Sequence, residues 1–343
     1  MPNLRFAVLG CGFWSQYQIA AWRELEGVEL AAVCNRTRSK AQAVADRFGV
    51  KAVYDDAEAM LRETKLDFVD VITDVDTHER FVTLAAHHRL PVICQKPMAP
   101  DLSAAQRMVE ACNKAAIPLL IHENWRWQHP LRQFKKLMDP SDLGDPFRAR
   151  ITFSCSFPVF DNQPFLRELD RFILTDIGSH ILDTARFLFG EVSTLYCRTR
   201  RVNPSIRGED VATVILGMKS GATVTCEMSY ASRLEHERFP ETYVLAECQR
   251  GSIELGPDFW IRITDNSGTR SRRFPPPRYS WADPAYDVVH SSIVDCNRNL
   301  LNALRGGARA ETDAQDNMQT VKLVFASYDS AESGQTIAWQ DSA

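Results

Sequence analysis

No uninterrupted apolar run of about 18 residues, the length that a membrane-spanning helix needs, occurs in this chain, and no lysine or arginine run is long enough to track a phosphate backbone. Forty basic residues against forty-four acidic ones leave a net charge of -4. Neither a membrane nor a nucleic acid is therefore an expected partner. Nine cysteines lie scattered from Cys11 to Cys296 without a CxxC pair or a Cys/His cluster at zinc-ligand spacing. They read as reduced, mostly buried small hydrophobes, and no metal site is expected. Met1-Pro2-Asn3-Leu4-Arg5 runs into a strand pattern without a signal-peptide profile, so a cytoplasmic location is expected. Internal repeats and low-complexity segments are missing too.

What is present is a 343-residue chain, 45% hydrophobic and 24% charged, long enough for two substantial domains. Up to about residue 122, short apolar runs at 6–9, 30–34, 68–73, 92–94 and 119–121 alternate with stretches of helical period. Trp14, Tyr17, Ala21 and Leu25 share one helical face; Ala41, Val44, Ala45 and Phe48 share another, in a helix that ends at Gly49. Ser103 followed by Gln106 reads as a capping box opening a further helix. Five strands with crossover helices make a doubly wound parallel sheet, the Rossmann arrangement. After about residue 145 the pattern changes to strict alternation, as in Ala149 to Phe157 and Ala222 to Tyr230, which means a sheet with one apolar face. Lys219-Ser220-Gly221 joins the run 211–216 to the second of these as a hairpin, so this second, α+β domain is at least partly antiparallel. The stretch 272–278 reads as an irregular loop.

Gly10-Cys11-Gly12 ends the first strand and opens the first helix, the context in which a glycine turn brings backbone N–H groups to a dinucleotide pyrophosphate. Ser15 stands at the third, small position of that motif. The second strand ends in Asn35-Arg36-Thr37-Arg38, with no carboxylate to receive the ribose hydroxyls of NAD and two arginines able to meet the 2′-phosphate of NADP. NAD(P) is the expected cofactor, with a lean to NADP; Asn35 bonding the NAD hydroxyls is the alternative. Lys96, in Cys94-Gln95-Lys96-Pro97, projects at the carboxyl edge of the sheet, where open α/β folds bind ligands. Asp176, His180 and Asp183 are spaced four and three apart, so a helix would place all three on one face, with a carboxylate orienting an imidazole. His122-Glu123-Asn124-Trp125-Arg126-Trp127 follows the strand at 119–121, and Asn124 and Arg126 are candidates for substrate hydroxyls or the cofactor amide. Asp161-Asn162-Gln163 and the segment from Ser280-Trp281 to Tyr286 are polar or aromatic enough to line a substrate pocket, while His87, His88 and His236 read as peripheral.

Taken in order, Gly-x-Gly, Lys-Pro and Asp-x-Gly-x-His-x-x-Asp resemble the glucose-fructose oxidoreductase and inositol dehydrogenase family over essentially the whole chain. The resemblance implies a Rossmann domain, residues 1–123, that binds NAD(P). It also implies an α+β domain, residues 124–343, with a large, mostly antiparallel open sheet that serves substrate binding and oligomerisation. It implies NAD(P)-dependent oxidation of a sugar or polyol alcohol, with Lys96, Asp176 and His180 as the catalytic trio and the Lys96-Pro97 bond in cis. The cofactor residues it implies are Gly10, Gly12, Phe13 and Trp14 in the turn, Asn35 and Arg36 at the second strand, Thr73 and His78, then Gln95, Lys96 and Asn124. For the carbohydrate substrate it implies Lys96, Arg126, Gln163, Asp176, His180 and Trp281. Gln95 stands where the family commonly has glutamate. A homodimer or homotetramer built on the open sheet face is expected. An inositol dehydrogenase, an NAD-dependent glycosidase and a non-catalytic NAD(P)-binding regulator remain alternatives.

Overall fold

The computed structural model describes residues 3–139 and 142–339, which divide into two compact units. The first comprises residues 1–124 with 279–284 and 290–321; the second comprises 125–278, 285–289 and 322–343.

The first unit holds a six-stranded parallel sheet of β1 (Leu4–Leu9), β2 (Val28–Cys34), β3 (Ala52–Tyr54), β4 (Phe68–Val71), β5 (Val92–Gln95) and β6 (Leu119–His122). The order is β3-β2-β1-β4-β5-β6, the doubly wound order with a topological switch between β1 and β4. One strand more is present than the apolar runs predict. β3 has three residues at the edge of the sheet, none fully buried, so it never forms an apolar run. Helices α1 (Ser15–Trp22), α2 (Arg38–Phe48), α3 (Ala57–Glu63), α4 (His78–His87) and α5 (Leu102–Ala115) supply the connections. Gly49 closes α2 in the left-handed conformation, as its position predicts. The predicted cap of α5 needs correcting. Asp101, not Ser103, accepts the Ala104 N–H at 2.7 Å, and the Ser103 hydroxyl donates to Asp101 instead. A carboxylate one step outside the helix reaches that amide and also carries the charge that the helix N-terminus favours.

The second unit begins with α6 (His129–Met138), β7 (Pro146–Ser154), α7 (Val159–Asn162) and α8 (Ser179–Phe189). It continues through β8 (Val192–Arg200), β9 (Val211–Met218), β10 (Thr223–Ser229), β11 (Tyr243–Cys248), β12 (Gly251–Leu255), β13 (Trp260–Asp265) and β14 (Gly268–Arg273). α9 (Asp287–Leu304) and α10 (Ala314–Ser333) are divided between the units, and β15 (Ile337–Ala338) completes the second. Its nine-stranded sheet runs β14-β13-β12-β11-β7-β10-β9-β8-β15, antiparallel except for the β7–β10 pair. The β9–β10 hairpin forms as predicted, with Gly221 at φ 90. Val214, Leu216, Val224, Cys226 and Met228 are buried on one face, where α8 packs on β7 and β10, while Ile215 on the other face is 41% exposed. Arg272 and Arg273, read above as loop, belong to β14. Every residue of that strand is exposed, which removes the alternation that reveals half-buried strands. No helix among the described residues is long and apolar enough to cross a membrane.

Candidate active site

The glycine turn is fixed from both ends. Gly10 N–H donates to Cys34 O at 2.9 Å, and Cys11 N–H donates to Asn35 Oδ1 at 3.0 Å. Gly10 has φ +103, and an added Cβ would sit 2.4 Å from Ile72 O, so the turn tolerates no side chain there. At Gly12 an added Cβ meets nothing within 4 Å, leaving the backbone open to a ligand. Ser15 is accommodated because its hydroxyl donates to Gly12 O at 2.7 Å. Beside the turn, the buried Trp14 Nε1 has no acceptor among the described residues, and Phe13 is 49% exposed. An open backbone at a helix start, with a spare donor beside it, fits a dinucleotide. At the end of β2, Arg38 pairs with Asp55 at 3.6 Å while Arg36 is exposed. Asn35 is spent on the turn itself, its Nδ2 donating to Thr37 O at 3.1 Å.

Lys96 follows β5 at the same carboxyl edge and is half-buried. The Lys96–Pro97 bond is cis, as the resemblance implies. On one side, Gln95 Oε1 accepts the Lys96 backbone N–H at 2.7 Å. On the other, His78 Nδ1 lies 3.1 Å from Pro97 O and 3.2 Å from Met98 O, and its Nε2 lies 3.0 Å from Thr73 O. Burial holds the His78 ring below the ordinary histidine pKa, although these carbonyls favour its protonated form. His78, expected at the cofactor, thus has both nitrogens committed to backbone and acts by tying the Thr73 turn to the Lys96–Pro97 turn. Deeper in the sheet, Gln95 Nε2 donates to Gln18 Oε1 at 2.7 Å, and Gln18 Nε2 donates to both oxygens of Asp70 at 2.8 and 2.9 Å. Trp22 Nε1 also donates to Asp70, at 2.8 Å. Burial pushes the Asp70 carboxyl up to about 7, restrained by those Trp22 and Gln18 donors. Gln18 and Asp70 were not singled out in the sequence, although one carboxylate inside the apolar run of β4 is a signal that a buried partner exists.

In the second unit the segment carrying Asp176 and His180 starts as a π-helical turn, Leu174–Gly178, and becomes α8 at Ser179. Its start is held by Glu209, whose carboxylate accepts from Phe172 N at 3.2 Å, Leu174 N at 3.1 Å and the Tyr328 hydroxyl at 2.7 Å. Gly208 is required beside it, since a Cβ would stand 2.7 Å from Leu169 O. His180 is buried and stacks on Trp125, with ring centroids 4.4 Å apart. Trp125 is itself fixed by its Nε1 donating to Thr242 Oγ1 at 2.9 Å. Asp176 is partly exposed and accepts the Tyr230 hydroxyl at 3.4 Å. Burial, then the Asp176 charge, pushes Tyr230 well above the usual phenol range and keeps it a neutral donor.

Asp183 forms a buried, two-bonded ion pair with Arg126, Nε to Oδ2 at 2.7 Å and Nη2 to Oδ1 at 2.6 Å. Arg126, expected at substrate hydroxyls, therefore has its fork on Asp183, because a carboxylate and a guanidinium in a dry site must satisfy each other. Trp281, also expected at substrate, donates its indole N–H to Glu24 at 2.9 Å and packs beside Ala21, Ile293 and Val294 in the first unit. Asn124 is buried and donates to Ser292 Oγ at 2.7 Å, while Gln163 is partly exposed between α7 and a short 3-10 turn. His290, not anticipated, stacks on Tyr17 at 4.2 Å and accepts the Asp283 N–H at 3.3 Å; burial drops it to about 4. Among the described residues no group of three or more His, Cys, Asp and Glu side chains could hold a metal ion.

Residues 4–121 match the family described as "Oxidoreductase family, NAD-binding Rossmann fold", and residues 131–254 match "GFO/IDH/MocA C-terminal domain". The chain is 40% identical to a D-apiose dehydrogenase of Rhizobium rhizogenes, over 98% of each protein. It is 41% identical to a D-apiose dehydrogenase of Paraburkholderia graminis, over 98% of this chain and 90% of that one. A crystal structure of an oxidoreductase from Agrobacterium radiobacter in complex with NAD+, L-tartaric acid and magnesium superposes with TM-score 0.96 at 40% identity, covering 98% of both chains.

Proposed function

This chain belongs to the GFO/IDH/MocA oxidoreductase family, and from that premise we propose that it oxidises D-apiose at its anomeric carbon to the lactone. Two relatives of about 40% identity, each aligned over 98% of this chain, are named D-apiose dehydrogenase. The observation that carries the reading is local. The carboxyl edge of the parallel sheet presents an open glycine turn at the end of β1 and Lys96 at the end of β5.

A sugar hydroxyl loses hydride readily only as its proton departs, so a base is needed. When bound, NAD(P)+ supplies the hydride acceptor, held by the backbone of Gly10 to Gly12 with Trp14 and Thr73. An imidazole nitrogen of His180 takes the hydroxyl proton, and the Asp176 carboxylate stabilises the resulting charge. Lys96 Nζ donates to the oxygen as negative charge builds on it. Arg36 receives the 2′-phosphate of NADP, for which the carboxyl end of β2, Val33 to Arg38, offers no competing carboxylate. The first unit holds the cofactor and the second the sugar. The open sheet face around Ile215 forms the contact of a homodimer or homotetramer, and the protein works in the cytoplasm.

Turnover is followed at the reduced-nicotinamide absorbance band with D-apiose and, in parallel, NAD+ and NADP+. His180→Ala lowers turnover by roughly 100- to 10,000-fold with cofactor binding nearly intact, the range for loss of a positioned base. Unchanged turnover in that variant rejects His180 as the base.

A further inference from the structure

Lys96 is connected to a carboxylate on the neighbouring strand through a chain of side-chain amides, all within the first unit. Asp70 on β4, Gln18 on α1 and Gln95 on β5 are buried. A carboxylate accepts and cannot donate, so Gln18 must turn its NH2 toward Asp70, and its carbonyl then faces Gln95. Gln95 must in turn offer its NH2 to that carbonyl, which leaves its own carbonyl for the Lys96 backbone N–H. The second N–H of Gln95 points at His122 Nδ1, 3.4 Å away, and His122 Nε2 lies 3.0 Å from Asn297 Oδ1. Two amides that could each face either way are thus given one direction by the Asp70 end. With Gln18 in this orientation a proton on Asp70 would find no acceptor, since only the N–H groups of Gln18 and Trp22 meet its oxygens among the described residues.

We propose that Asp70, through Gln18 and Gln95, is a positioning residue that sets the peptide orientation of Lys96 by fixing the polarity of this chain. The proposal rests on the reading of Lys96 as a catalytic residue. Its chemistry makes an unusual demand. Asp70→Asn sets one NH2 against another, and Gln95→Glu sets one oxygen against another, so each alone breaks the chain. Together they restore it in reverse. The amide introduced at position 70 donates to Gln18 Oε1 while still accepting from Trp22, and Gln18 Nε2 donates to the carboxylate introduced at position 95. That carboxylate also accepts from the Lys96 N–H and from the Nδ1–H of a His122 ring protonated at both nitrogens, whose Nε2–H keeps its bond to Asn297 Oδ1.

The test compares the parent enzyme, both single variants and the double variant Asp70→Asn/Gln95→Glu, by kcat and by hydrogen exchange of the Lys96 amide in a peptide covering 93–98. Each single variant is expected to lose about tenfold to a hundredfold in kcat, the scale of a misplacement near 1 Å, and to lose protection of that amide. The double variant is expected to regain both to within about threefold. In a Lys96→Ala background the same substitutions are expected to change kcat by less than about twofold, since residues acting through one group are not additive. Should Asp70→Asn not accumulate as folded protein, Gln18→Met cuts the chain without moving charge and carries the expectation of a single variant. Single variants with a protected Lys96 amide and parental kcat overturn the proposal. So does a double variant as impaired as the singles, or a loss that persists in the Lys96→Ala background. Parental turnover in Lys96→Ala itself would overturn the catalytic reading instead, and amide exchange would still decide the wiring.

Discussion

Asp183→Asn breaks the buried ion pair between α8 and the turn that follows β6 while leaving the shape of the site unchanged. Arg126 Nε and Nη2 each donate to one oxygen of Asp183, at 2.7 and 2.6 Å, and the two side chains are 6% and 0% exposed. An asparagine oxygen can accept one of these N–H groups, but its NH2 opposes the other, and the guanidinium charge is left in a dry site. Breaking such a pair costs about 3–5 kcal/mol, whereas replacing both members by apolar residues is close to neutral or stabilising. With a urea dependence of roughly 3 kcal/mol per molar, the single variant should unfold about 1–2 M earlier. Arg126→Met/Asp183→Leu should unfold near the parent midpoint. The assay is equilibrium urea unfolding followed by far-UV circular dichroism, with KM for the sugar measured alongside. A single variant within about 1 kcal/mol of the parent would refute the energetic argument. A well-folded double variant whose KM rises more than about tenfold would show that Arg126 touches substrate after all.

The glycine turn and the buried histidine give two further expectations. Gly10→Ala places a methyl group 2.4 Å from Ile72 O at a backbone angle of φ +103, so cofactor affinity, measured by fluorescence titration, should fall at least about tenfold; an unchanged dissociation constant would contradict the assigned turn. His290 is neutral when folded, its pKa pushed down to about 4 by burial against an unfolded value near 6.5. Its contribution is complete above about pH 6.5 and is lost as the pH falls toward 4, roughly 3 kcal/mol in all. His290→Phe, which keeps a ring against Tyr17, should therefore lose less stability than the parent between pH 8 and pH 4 in urea unfolding. Parallel pH profiles would reject the assignment.

The doubly wound sheet was legible because its strands are buried on both faces and show as apolar runs, and the glycine turn because it falls where one such run meets a helix. The short edge strand β3 and the exposed strand β14 were not, since neither has a buried face to write into the sequence. The motif residues Lys96, Asp176 and His180 could be picked out by spacing and resemblance. Their supports, Gln18, Asp70, Glu209 and Trp125, lie elsewhere in the chain. Of these, Trp125 lay within the aromatic and polar cluster 122–127, and Asp70 left a trace as a lone charge within an apolar strand.

By itself, the sequence determined the sheet architecture, the glycine turn and the residue types available for proton and hydride chemistry, because period and local motif report on neighbours within one element. Only the tertiary structure decided which polar side chains are spent inside the protein. Arg126 finds Asp183 at 57 residues' separation, Gln18 finds Asp70 at 52 and Gln95 at 77. Such pairings follow from the need to satisfy every buried charge and amide once the chain is packed, and periodicity carries no record of which distant partner will do so.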